Sequence, residues 1–179
     1  TAKGERIADA VSIPVLLYNA PQFAAGVQIP PRTIVELSRH LNIVGMKDSS
    51  SSGPARILAE LDPEEDFSVL AGSLNLFYAS LHIGATGGVL SLANVIPEAC
   101  VELYELFTQG RYDQARELNA SLVRLNQAIS GTWGVAGVKA AMDIIGLKGG
   151  RPREPLVPPP VEAIEQIKQA LKTEGFVIA

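Results

Sequence analysis

The chain predicts an α/β fold: a parallel sheet covered by helices, followed by a purely helical stretch. Three observations carry this prediction. Short apolar runs alternate with longer amphipathic ones, the short runs are apolar almost throughout, and beyond residue 96 only helical periodicity remains. With 179 residues, 47% hydrophobic and 19% charged, the chain can bury a sizeable core, which excludes a disordered segment.

The strand candidates are residues 12–18 (SIPVLLY), 42–47 (NIVGMK), 67–72 (FSVLAG) and 88–92 (GVLSL), each short and bounded by turn formers. Between them lie helical segments. Residues 32–40 follow Pro30 and Pro31, a suitable helix entry; 53–61 carry Pro54 near the first turn; 73–83 begin with Ser73 in an N-cap position. Past residue 96, helices are predicted over 97–108, ending at Gly110, then 112–130, 135–146 and 161–173. The second of these places Tyr112, Ala115, Leu118, Leu122, Leu125 and Ile129 at helical spacing. Residues 151–160 (RPREPLVPPP) form an extended connector that helices cannot include.

Charge and cysteine usage narrow the class. A net charge of −4 without a basic block argues against nucleic acid as a partner, because phosphate neutralisation needs clustered Lys and Arg. The single cysteine, Cys100, excludes an intrachain disulfide and a cysteine-based zinc site, and fits a reducing, cytoplasmic compartment. Apolar stretches are interrupted before the roughly 18 residues that a membrane span needs. The first ten residues lack the charged start and apolar core of a secretory signal. No membrane partner is expected. His40 and His82 fall in different helical segments without carboxylates at ligand spacing, so no metal site is expected either.

Side-chain alternation points to chemistry. In NIVGMK, Ile43, Gly45 and Lys47 share one face, and Val44, Met46 and Asp48 the other. If Val44 and Met46 pack against helices, Lys47 projects from the opposite face at the strand's C-terminal end, where βα enzymes carry their active groups. By the same count Tyr18 ends its strand on the face of Leu16, while Gly72 and Ser91 are the small or polar members of theirs. A lysine amine attacks a carbonyl only when unprotonated, and withdrawal from water favours the neutral form. A nearby phenol can then move protons. Taken singly, these residues have plainer readings: a strand-end lysine is more often solvated or salt-bridged, a tyrosine more often packed with its hydroxyl at the surface.

The ordered motifs YNAP at 18–21, GMKDSS at 45–50, LAGS at 70–73 and GATGGVLSLANV at 84–95 resemble the signatures of the dihydrodipicolinate synthase and N-acetylneuraminate lyase family. The resemblance runs from about residue 5 to the end. It implies the second half of a (β/α)8 TIM barrel, strands 5 to 8, followed by a C-terminal three-helix appendix. Residues 1–110 would be the half-barrel, with the chain starting inside the fourth helix, and 111–179 the helical region. Four strands cannot close such a barrel. Activity is therefore expected only with an N-terminal half that supplies the Gly-Thr-Thr carboxylate loop.

The resemblance also implies roles. Lys47 matches the family's Schiff-base lysine and Tyr18 its proton-relay tyrosine, acting on pyruvate or a related 2-keto acid without a metal or dissociable cofactor. Ser49, Gly72, Ser73 and Ser91 are the candidate substrate contacts. Where these synthases carry an arginine after YNxP, this chain has Gln22, Phe23, Ala24 and Ala25; where sialic-acid lyases place two acidic residues, it has Leu74 and Asn75. The motif set is closest to the 4-hydroxy-2-oxoglutarate aldolase type, with cleavage of a 2-keto-3-deoxy sugar acid as a related activity. A homotetramer is implied by resemblance. Alternatives are a dihydrodipicolinate synthase, a non-catalytic fragment or regulatory relative, and an anion-binding module built on the Gly72–Ser73 helix start.

Overall fold

A computed structural model of the chain describes residues 2–64 and 66–176. It divides into two compact units, Thr1–Val89 and Leu90–Ala179. The first contains α1 (Ala2–Asp9), β1 (Val15–Asn19), a 3-10 turn (Pro21–Phe23), α2 (Pro31–Ser38), β2 (Ile43–Asp48), α3 (Ala55–Glu60), β3 (Ser68–Ala71), α4 (Leu74–His82) and β4 (Gly87–Gly88). The four strands form one parallel sheet in the order β1-β2-β3-β4. Each strand but the last is followed by a helical crossover to the next, as parallel pairing requires.

One face of this sheet is packed. Met46 and Val69 join Ile34 and Leu37 of α2, Ile57 of α3 and Ala8 of α1 in a buried cluster, and Val15 and Leu17 lie partly buried against it. Prolines start the covering helices as anticipated: α2 opens at Pro31, and the Pro30 carbonyl accepts the Thr33 and Ile34 amides. Asn42 ties the end of α1 to the start of β2, its amide donating to the Ala8 and Val11 carbonyls at 2.9 and 3.0 Å.

The alternation expected for β2 is broken at its start. Val15 pairs with Ile43 but Leu16 pairs with Gly45, leaving Val44 as an extra residue. This bulge turns Ile43 onto the face of Met46. Ile43 and Met46 are both core residues, whereas Val44 is exposed. The expectation that Val44 packs with Met46 and that Ile43 shares the Lys47 face is therefore corrected; an unpaired residue resets which side its neighbours occupy. From Gly45 onward the alternation holds.

A second correction concerns the fourth strand. Residues 88–92 do not form it: β4 is confined to Gly87–Gly88, and Ser91–Asn94 is a 3-10 turn in the other unit.

The second unit continues with α5 (Pro97–Thr108), α6 (Tyr112–Asn126), a π-helical turn (Gln127–Gly131), α7 (Thr132–Ile144) and α8 (Val161–Thr173). Leu103, Leu122, Leu125, Ile129, Ile167 and Leu171 are all fully buried here. The helix predicted over 112–130 thus changes register at Gln127, and α7 is kinked at Gly134, whose backbone is non-helical (φ 54°, ψ −140°), so its regular stretch starts where the helix over 135–146 is predicted. Gly137 permits the crossing: a Cβ there would strike the Ile129 carbonyl oxygen.

Candidate functional site

The C-terminal ends of β1, β2 and β3 lie side by side. Tyr18 is the register partner of Lys47, and Lys47 in turn is the partner of Leu70. Parallel partners project from the same side of a sheet, so Leu16, Tyr18, Gly45, Lys47, Ser68 and Leu70 share the face opposite the helix-packed core. The Lys47 Nζ lies 4.9 Å from the centroid of the Tyr18 ring, within cation–π range. Lys47 is half-buried and Tyr18 half-exposed. An amine and a phenol are thus brought together by strand register alone, with no loop needed to deliver either.

Ser49 follows Lys47 and Asp48 directly. Its amide donates to the Asn19 carbonyl at 2.8 Å, extending the β1/β2 pairing by one residue. The Gly72 amide donates to the Asp48 carbonyl at 2.7 Å. A Cβ at residue 72 would sit 1.9 Å from the Ser49 hydroxyl oxygen and 2.7 Å from the Asp48 carbonyl oxygen. Glycine at 72 is what lets the Ser49 side chain lie across the end of β3.

Ser73 occupies the N-cap position of α4 as anticipated, with extended backbone, but its side chain makes no capping hydrogen bond. Ser91 is exposed on the 3-10 turn of the second unit, where its carbonyl accepts the Asn94 amide at 3.0 Å. Its expected place at a strand end is corrected, because the strand stops at Gly88.

Sequence reasoning overlooked a buried polar group beneath this site. Asn19, Asp48 and Ser50 are all buried. The Asn19 amide donates to Asp48 Oδ1 at 2.6 Å and its oxygen accepts the Ile29 amide at 3.1 Å. The Ser50 hydroxyl donates to Asp48 Oδ2 at 2.8 Å, and the Ser50 amide points at Oδ1 from 3.4 Å. The available signal was a polar residue at the helix-facing position of each of two apolar strands. Burial of such groups demands partners, and these two are each other's.

Among the described residues, no group of three or more His, Cys, Asp or Glu side chains could hold a metal ion, and no helix is long and apolar enough to cross a membrane.

Residues 4–174 match the dihydrodipicolinate synthetase family. The chain belongs to this family. It is 36% identical to a 4-hydroxy-tetrahydrodipicolinate synthase of Methanospirillum hungatei over 92% of the chain and 56% of that protein. It is also 36% identical to a relative from Emericella nidulans named "Probable 4-hydroxy-2-oxoglutarate aldolase, mitochondrial", over 92% of the chain and 53% of that protein. The crystal structure of dihydrodipicolinate synthase from Aquifex aeolicus superposes with a TM-score of 0.87 at 28% identity, covering 98% of this chain and 60% of that one.

The chain therefore spans little more than half the length of the family members it matches. The expectation that it corresponds to their C-terminal part is not borne out by these matches, which give a share of length and not a position.

Proposed function

We propose that this chain carries the Schiff-base lysine of a class I, pyruvate-type aldolase or lyase, with Lys47 as the amine and Tyr18 as its proton relay. The observation that supports this most is the Tyr18–Lys47 register pair with Nζ 4.9 Å from the ring. In this reading β1 to β4 are four of the eight strands of a (β/α)8 barrel, and the active molecule is a cytoplasmic homo-oligomer, a tetramer by family resemblance. No metal or dissociable cofactor takes part.

Lys47 Nζ adds to the ketone of the 2-keto acid, and the resulting carbinolamine loses water to give an iminium. The electron pair of the next carbon–carbon bond, between C3 and the hydroxyl-bearing C4, moves toward the iminium to form the C2–C3 double bond of an enamine, as the C4 hydroxyl gives up its proton and leaves as an aldehyde. Protonation of the enamine carbon and addition of water return pyruvate and the free amine. Tyr18 hands the proton between the carbinolamine oxygen, water and the distal hydroxyl. In this reading Ser49, the bare backbone at Gly72 and Ser73 are the substrate contacts, and Ser91 is a candidate contact on resemblance alone.

The absence of an arginine after YNAP favours cleavage of 4-hydroxy-2-oxoglutarate or a related 2-keto-3-deoxy acid. The second reading, a synthase that condenses pyruvate with an aldehyde, has support from the names of several relatives of similar identity. A coupled assay separates them, using the longest natural polypeptide that contains this chain. Pyruvate release from 4-hydroxy-2-oxoglutarate, abolished in Lys47→Ala, supports the aldolase. A borohydride-trapped pyruvate adduct without such release supports the synthase. Neither release nor adduct overturns both.

A further inference from the structure

Tyr18 and Lys47 are each followed by a residue that turns to the other side of the sheet, and those two residues, Asn19 and Asp48, are themselves register partners. We propose that the buried cluster of Asn19, Asp48 and Ser50 is a positioning device that fixes Tyr18, Lys47 and Ser49 relative to one another. The proposal rests on the Schiff-base reading of Lys47.

The hydrogen bonds leave the cluster little freedom. The Ile29 amide can only donate, so it holds the Asn19 oxygen and forces the Asn19 NH2 toward Asp48. The Asp48 carboxylate then receives β1 through Asn19 on one oxygen and the turn after β2 through the Ser50 hydroxyl on the other. Ser50 also meets the Ser52 hydroxyl at 3.3 Å. At the same level, backbone bonds run from Ser49 to Asn19 and from Gly72 to Asp48, so three strand ends converge on these few residues.

Apolar packing on this face would hold the strands together but would tolerate a slip along their length. A satisfied polar network in a low-dielectric setting does not, because any slip strands a buried donor or acceptor. The reacting groups sit one residue away on each strand. Their spacing is set from behind.

The network can be inverted chemically. With aspartate at 19 and asparagine at 48, the first carboxylate accepts the Ile29 amide and the new amide, and the second side chain still offers an oxygen to Ser50. Asn19→Asp alone instead sets two carboxylates against each other. The experiment traps pyruvate on Lys47 with sodium cyanoborohydride, well below each variant's thermal midpoint, and follows adduct formation by intact mass. Asn19→Asp is expected to slow trapping by about 100-fold, the scale of an ångström-sized misplacement, and the Asn19→Asp/Asp48→Asn swap to restore it to within a few-fold. Crystal structures should show the Nζ-to-ring distance kept in the swap and changed by about 1 Å in the single variant.

Trapping at the wild-type rate in Asn19→Asp, or a swap no better than the single change, overturns the proposal. If the wild-type protein traps no pyruvate, the Schiff-base reading fails, and the crystallographic distances alone then decide: an unchanged distance in Asn19→Asp sinks the positioning role. Should Asn19→Asp not fold, Ser50→Ala removes one arm of the network and is expected to slow trapping by about 10-fold, the scale of one hydrogen bond to a charged group. An unaltered rate in that variant contradicts the role.

Discussion

The Ser49 hydroxyl oxygen lies 1.9 Å from where a Cβ on residue 72 would be. Gly72→Ala must therefore displace the Ser49 side chain and also press on the Asp48 carbonyl oxygen, 2.7 Å from the new Cβ. A destabilisation of about 1–3 kcal/mol is expected, as for other overpacking changes, visible as a lowered denaturant midpoint. Ser49→Gly in the same molecule should recover part of that loss, and a double-mutant cycle measures how much. Strict additivity of the two changes would mean that they do not share space.

Tyr18 offers a cleaner separation of chemistry from stability. Its ring is half-exposed, so Tyr18→Phe keeps the packing and removes only the hydroxyl. Turnover should fall by roughly 100-fold or more, the usual contribution of a positioned general acid–base, with an unchanged thermal midpoint. Turnover equal to wild type would remove Tyr18 from the relay.

In the second unit, Glu174 is held by Arg124 through two hydrogen bonds at 2.7 and 2.8 Å and by the Ser121 hydroxyl at 2.6 Å. The Arg124 hydrogen bond first, and Ser121 second, hold its carboxyl below the ordinary value of 4.5. A depressed folded-state value means that the contribution to stability is present above about pH 4.5 and is lost as pH falls through the lower, folded value. Wild type and Glu174→Gln should accordingly differ in thermal midpoint near neutral pH and converge in acid. A gap that persists unchanged into acid would assign the difference to packing instead.

Cys100 sits in α5, and burial pushes its thiol up to about 11. It should resist iodoacetamide at pH 8 in the native protein and react once denaturant is added, as a peptide map would record. Rapid native labelling would contradict its burial.

Much of the site was legible because strand periodicity is a local property. The apolar runs located β1, β2 and β3 to within a few residues, and alternation from Gly45 onward put Lys47 on the face away from the helices. The bulge at Val44 escaped because it comes from pairing with β1, and no residue type announces it. GVLSL misled for a related reason: an apolar run of strand length looks the same whether it extends a sheet or folds into the 3-10 turn that buries Leu92. The Asn19–Asp48 pair left only a polar residue at the helix-facing position of each strand as its signal, and the pairing itself needs tertiary context. A polar residue at a strand end is ordinarily solvated, and only the neighbouring strand shows that these two are buried against each other.

In the proposed mechanism Lys47, and no other lysine, forms the imine. Lys139 is the natural internal comparison, since it lies in α7 and its Nζ donates to the Gly149 carbonyl. The decisive measurement is peptide mapping by tandem mass spectrometry after treating the longest natural polypeptide containing this chain with pyruvate and borohydride. A single pyruvate-sized modification is expected on Lys47, absent in Lys47→Ala. A folded protein that carries no adduct, or one that carries it on Lys139 or another lysine, would contradict the mechanism.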